Sequence, residues 1–219
     1  MPVAVPLKIP LGVTVVSDVI CPWCFVGSRR LRQVLDSMED SVEPHVRYRP
    51  FLLDPSVPPE GVDLRERLRQ KYRIDPELMF ARIEEAARDT GIALDFSKVR
   101  RTPNTIPAHT LLRHAETRDT QWALGDALFT SYFLEGGDIS DAGVLGSIGE
   151  QHGFTRADAI GIATDPAEQA ATRADADAAA RAGVQGVPFF VFSERIALSG
   201  AQPIHAFRTA IAQALQPPQ

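Results

Sequence analysis

The chain has 219 residues, a formal net charge of -5, 44% hydrophobic and 23% charged residues, and two cysteines. Length and composition are those of an ordinary globular protein with room for one large domain or two small ones. Nothing in the mild, dispersed charge suggests nucleic acid, a structural disulfide between the two cysteines would close a loop too short to restrict the unfolded chain much, and no apolar run is long enough to cross a membrane.

Met1 to Leu11 carries one lysine and prolines at 2, 6 and 10, with no apolar core followed by a small-residue cleavage site. It does not read as an export signal, and the expected address is cytoplasmic. Residues 13–20 are nearly all apolar and predict a central strand covered on both faces. Asp18 interrupts it three residues before Cys21. Its carboxyl either assists proton transfer from Cys24 or closes an Asx turn at the strand end.

Cys21-Pro22-Trp23-Cys24 follows, where the strand gives way to a helix over Pro22 to Ser37. Proline at the first helical position makes Cys21 the N-cap, where unpaired N–H groups and the dipole favour a thiolate. Cys24 lies one turn on, within the reach a disulfide needs. It shares a stripe with Leu31, Leu35 and Met38, which points it to the core and leaves Cys21 at an exposed tip. A nucleophile and a resolving partner are so arranged. A zinc site needs four ligands, and there is no second cysteine pair; His109 and His114 are five apart on different helix faces. No metal is expected. Arg29, Arg30 and Arg32 read as a solvated helix face, and Gly27 either permits close approach to the sheet or is a mild helix defect.

Val46 to Leu53 alternates as a second strand, giving a βαβ unit with parallel strands. After a Pro/Gly loop the chain reads as helical to Gly183: about Val62 to Tyr72, a helix capped by Asp75-Pro76 and ended by Gly91, then Thr105 to Arg118, Gln121 to Leu134, Asp141 to His152, Arg156 to Ala163 and Pro166 to Ala182. Pro188 to Phe192 and Ile196 to Leu198 form a hairpin, and Pro203 opens a last helix with Ile204, Phe207, Ile211 and Leu215 on one face. Pro217-Pro218 reads as a frayed tail. The order is β-α-β, a helical segment, then β-β-α. The fold class is α/β, with a discontinuous domain over 12–60 and 184–215 and an inserted all-α domain over 61–183.

The residues Ser17-Asp18-Val19-Ile20-Cys21-Pro22-Trp23-Cys24-Phe25-Val26-Gly27, Asn104-Thr105 with Ala108-His109, Gly186-Val187-Pro188-Phe189-Phe190-Val191 and Ser199-Gly200-Ala201-Gln202-Pro203 resemble the DsbA-like thiol-disulfide oxidoreductases of the thioredoxin fold, in their FrnE-like branch. The resemblance implies a sheet of four to five strands, a helical lid, a cis Val187-Pro188 bond beside the cysteines, and a substrate segment pairing with Val187. Asn104 and His109 would line the cleft with Trp23. Read as residues alone, Asn104 is equally a helix cap and His109 a satisfied helix histidine.

The expected activity is disulfide exchange through Cys21 with Cys24 resolving, without a metal or organic cofactor. Substrates would be a thiol or disulfide protein or glutathione, on a monomer or homodimer. The alternative is a glutathione-dependent isomerase or transferase acting on a small aromatic or polyketide-like molecule. Glutathione-using relatives usually carry serine where Cys21 stands, which counts against it. The hairpin turn lacks the glycine that the resemblance leads one to expect after the proline strand, which bears only on the geometry of that loop.

Overall fold

A computed structural model describes residues 8–217. Most of the segment read as lacking an export signal, and Pro218 of the tail, lie outside them.

The central strand is β1, Ile9–Ser17. It begins four residues before the position expected from its apolar run, because Ile9 to Leu11 already pair with the next strand, β2, Val42–Pro50. It ends at Ser17, where the chain turns and the Cys21 N–H donates to the Asp18 carbonyl at 3.0 Å. Between the strands runs α1, Pro22–Asp36. β1 and β2 are parallel with Val13 opposite Val46, the geometry that a crossover helix permits.

β5, Phe189–Phe192, joins the other edge of β1 antiparallel, and β6, Ile196–Ser199, follows it, giving the strand order β2-β1-β5-β6. The second strand also starts earlier than expected, at Val42. It holds Pro44 and Pro50 because it is an edge strand, where a missing N–H breaks no ladder on its open side.

Between β2 and β5 lie β3 (Val62–Asp63), α2 (Leu64–Tyr72), α3 (Pro76–Arg88), β4 (Arg101–Thr102), α4 (Ile106–His114), α5 (Gln121–Phe133), α6 (Ala142–Glu150), α7 (Arg156–Thr164) and α8 (Pro166–Arg181); α9, Ile204–Ala214, closes the described chain. The insert is therefore not all-α. The first helix there starts at Leu64, capped by the Asp63 carboxylate accepting from the Glu66 N–H at 2.8 Å, while Val62-Asp63 pairs with Arg101-Thr102 as a small second sheet. A two-residue ladder has too little periodicity to be seen in sequence. The helix expected over Thr105 to Arg118 changes to a 3-10 turn at Ala115.

One face of the sheet, carrying Val13, Val15, Phe190 and Phe192, is covered by α1 and α9; Phe207 of α9 meets Phe190 edge-on at 4.9 Å. Phe25 of α1 stacks on Phe129 of α5 at 5.2 Å and on Phe133 at 5.9 Å, and Phe133 continues through Phe96 to Phe80 of α3. The arginines of α1 are not a solvated face. Arg32 pairs with Asp126 at 3.0 Å and lies over Trp122, and Arg30 donates to the Ala201 carbonyl at 2.7 Å. Buried Gln121 of α5 accepts from the Tyr48 N–H at 2.8 Å and donates to the Leu112 carbonyl, so it satisfies backbone on the open edge of β2.

The β5–β6 turn has no glycine, and Ser193 and Glu194 both adopt left-handed φ, 48° and 57°. The turn is closed by the Arg195 N–H donating to Phe192 at 3.0 Å. L-residues with side chains are strained there. Replacing Ser193-Glu194 with Asn-Gly should raise stability by about 1 kcal/mol, read as a higher urea midpoint with an unchanged slope.

Candidate functional site

Cys21 is the N-cap of α1, with φ -87° and ψ 113°, and its carbonyl accepts from the Cys24 and Phe25 N–H groups at 3.0 and 3.2 Å. Both cysteines are free thiols. Cys21 is not an exposed tip: it is 4% exposed, and Cys24 is fully buried. Helical insert and proline loop close over the end of α1, so Cys21 is reached through a cavity rather than from open solvent.

That cavity holds about 300 Å³ and is bounded by Cys21, Trp23 and Ile20 on one side, by Gly186 and Val187 on another, and by α2 and α3 opposite, with Leu64, Leu68, Tyr72, Phe80 and Ile83. The Cys21 Sγ lies 3.8 Å from the Val187 carbonyl oxygen. The Val187-Pro188 bond is cis. Trp23, 37% exposed, stands at the rim.

Cys24 sits behind Cys21, in contact with its sulfur. Burial pushes the Cys24 thiol well up, and the Cys21 sulfur adds to that; the Ser17 hydroxyl and the Asp18 backbone act weakly the other way. Burial thus keeps Cys24 a protonated thiol at neutral pH.

α1 sets these sulfurs against the loop before β5. A Cβ on Gly27 would lie 3.0 Å from Pro188 Cγ and 3.1 Å from Phe190 Cζ. The glycine is there for close approach, which decides the sequence alternative in favour of packing.

Asp18 is buried, and its carboxyl makes a weak turn contact to the Ile20 N–H at 3.4 Å and a good bond from the Leu53 N–H at 2.8 Å. His109 Nε2 lies 3.2 Å from its other oxygen. Neither sequence alternative describes it fully. The carboxyl ties three segments together, and only the Asp18 backbone reaches Cys24.

Two residues expected in the cleft wall are elsewhere. His109 is 2% exposed and faces Asp18. Asn104 donates to the Val57 carbonyl at 2.9 Å and accepts from the Ile106 N–H at 3.0 Å, fastening the loop after β2 to the start of α4. Neither borders the cavity. Among the described residues no three His, Cys, Asp or Glu side chains gather as a metal site would.

Sequence reading passed over Asp54, Arg67 and Lys71 at the rim. Arg67 grips the Asp54 carboxylate through two bonds of 2.6 and 2.8 Å, and Lys71 donates to the Leu53 carbonyl at 2.7 Å. These bonds hold the loop carrying Leu53 against α2. The only signal was an arginine and a lysine one turn apart on a short polar helix, which has many other readings.

A family model for the DSBA-like thioredoxin domain matches residues 12–212. The uncharacterized protein YwbO of Bacillus subtilis (strain 168) is 24% identical over 200 residues, covering 91% of this chain and 94% of that one. The crystal structure of a probable DsbA oxidoreductase from Streptomyces coelicolor superposes with TM-score 0.84 at 31% identity, covering 95% and 92% of the two chains. The cytosolic disulfide reductase DsbM from Pseudomonas aeruginosa, solved with GSH, superposes with TM-score 0.65 at 18% identity, covering 93% and 98%. No helix among the described residues is long and apolar enough to cross a membrane.

Two outcomes follow from these contacts. Gly27→Ala gains about 1 kcal/mol of helix propensity but overpacks Pro188 and Phe190 by about 1–3 kcal/mol, so chemical denaturation should show a net loss. Arg67 holds the Asp54 carboxyl down to about 2, below the unfolded value of about 4. The clamp then contributes its full stability above about pH 4 and loses it as pH falls through about 2. The stability deficit of Asp54→Asn should therefore be constant from neutral pH to about 4 and shrink below it, as measured by denaturant midpoints across that range.

Proposed function

This chain belongs to the family of DSBA-like thioredoxin domains, its structural neighbours include oxidoreductases and isomerases, and we propose that it is a thiol-disulfide oxidoreductase acting through Cys21 and Cys24. The observation that carries this reading is the unequal placement of the two sulfurs. Cys21 borders the cavity beside Val187, and Cys24 is sealed behind it with its proton held by burial.

In the reducing direction the Cys21 thiolate attacks one sulfur of a substrate disulfide; the new Cys21–substrate S–S bond forms, the substrate S–S bond breaks, and the departing thiolate takes a proton. Cys24 then loses its proton and attacks the Cys21 sulfur, which releases the second substrate thiolate and leaves the Cys21–Cys24 disulfide. The oxidising direction reverses the same steps. No cofactor enters either one. The Val187 backbone at the cavity edge supports pairing with an extended substrate segment, and Trp23 offers an apolar contact beside the nucleophile. With two cysteines in the chain, placed as an exchange pair and not as a long-loop staple, the reading fits a reducing compartment such as the cytoplasm.

A glutathione-dependent isomerisation is the second reading, supported by the apolar walls that α2 and α3 give the cavity. It needs Cys21 alone. Glutathione serves as a co-substrate there and as an exchange partner in the leading reading.

Cys24→Ser, mixed with oxidised glutathione, should accumulate a mixed disulfide on Cys21 seen as an added mass, at every pH tested. Wild type should pass through that adduct, and faster as pH rises, because a thiol pushed up by burial is ionised more only on the alkaline side. Cys21→Ser should form no adduct. Turnover that survives Cys24→Ser and saturates with glutathione would favour the second reading.

A further inference from the structure

Ser17, the last residue of β1, is 1% exposed, and its Oγ is sealed from solvent without a hydrogen-bond partner among the described residues. Leaving a buried hydroxyl unpaired costs about 1–3 kcal/mol, and an orphan of this kind in a folded protein requires a reason. The strand does not supply one: the Ser17 carbonyl is already used, accepting from the Phe51 N–H at 2.9 Å. The polar group that Oγ does approach is the sulfur of Cys24, and the Asp18 backbone reaches the same atom.

A protonated thiol is a poor acceptor, whereas a thiolate is a strong one. The hydroxyl is therefore unsatisfied in the dithiol state and becomes satisfied when charge appears on Cys24. We propose that the Ser17 hydroxyl and the Asp18 backbone N–H form a two-donor seat for the Cys24 thiolate, which makes Ser17 a catalytic residue of the resolving step. Donors fixed in advance where charge will develop, in the buried interior behind the cavity, act strongly because nothing has to reorganise. The proposal rests on the disulfide-exchange reading.

The step balances without an outside redox partner. The S–H bond of Cys24 gives up its proton, the S–S bond between Cys24 and Cys21 forms, the bond from Cys21 to the substrate sulfur breaks, and the departing thiolate is protonated in its turn. The enzyme dithiol is oxidised by two electrons and the substrate disulfide reduced by two. By reversal, Ser17 stabilises Cys24 as the leaving group when the enzyme disulfide is attacked.

The titratable groups facing Cys24 are Cys21 on its own helix, Asp18 at the end of β1 with His109 of α4 behind it, and Tyr48 of β2, whose phenol burial pushes up and keeps protonated. The loop entering β5 brings Val187 and Pro188, which carry no charge.

Reduced protein mixed rapidly with excess 4,4′-dipyridyl disulfide reports both steps, because attack by Cys21 releases one thiopyridone and resolution by Cys24 releases a second. Ser17→Ala is expected to keep the first phase, slow the second about tenfold, and move the pH midpoint of the second phase upward. Ser17→Thr, which keeps the hydroxyl, is expected to restore it. Removing an unpaired hydroxyl leaves the urea midpoint of Ser17→Ala equal to or above wild type. An unchanged second phase, or a fall in stability with both phases slowed alike, would overturn the proposal. Wild type that releases no thiopyridone in either phase would instead sink the exchange reading, and this proposal with it.

Discussion

The structure depends on one buried carboxyl. Asp18 is closed off from water at the point where the central strand ends, and a carboxyl so placed is costly unless its oxygens are occupied. One oxygen is held by the Leu53 N–H and the other lies against His109. Its carbonyl receives the Cys21 N–H, and its backbone meets the Cys24 sulfur. A single residue thereby fixes the strand end, the loop after β2, the helix that bears the thiols and the helical insert. Two cysteines three positions apart have the same sequence spacing in any protein; here their depth and orientation are fixed by that junction.

From it the inequality of the two sulfurs follows. Cys21 caps α1 and meets the cavity, while Cys24 one turn below faces Ser17, Asp18 and Tyr48 in a dry interior. The insert supplies the cavity's far wall from α2 and α3, and the Asp54–Arg67 clamp holds the β2 loop to that wall. The part of the apolar lining made by Leu64, Leu68, Phe80 and Ile83 belongs to a module that the thioredoxin-like sheet does not need for its own pairing.

The β-α-β and β-β-α halves, the N-cap role of Cys21 and the helical insert were all legible, because each rests on local pattern: apolar runs, Pro22 after the cap, Asp75-Pro76, and Pro203 before the last helix. The depth of Cys21 was not, since the segments that cover it come from α2, α3 and the loop before β5, far away in sequence. His109 and Asn104 were noticed but misplaced for the same reason. A helix position gives the direction of a side chain only relative to its own axis, and the partners of these two, Asp18 and Val57, lie 91 and 47 residues away. Ser17 carried no sequence signal of its own beyond its place in the motif; only its burial and missing partner distinguish it.

The ring stack from Phe25 through Phe129 and Phe133 to Phe96 and Phe80 has a consequence for modularity. Its first member belongs to α1 itself, one residue past Cys24, so the insert is not a cassette that could be swapped between scaffolds at its two chain junctions. A graft that kept the loops but lost the aromatic register would leave Phe25 facing a void beside Cys24. The heritable unit is the helical insert together with the face of α1 on which it sits.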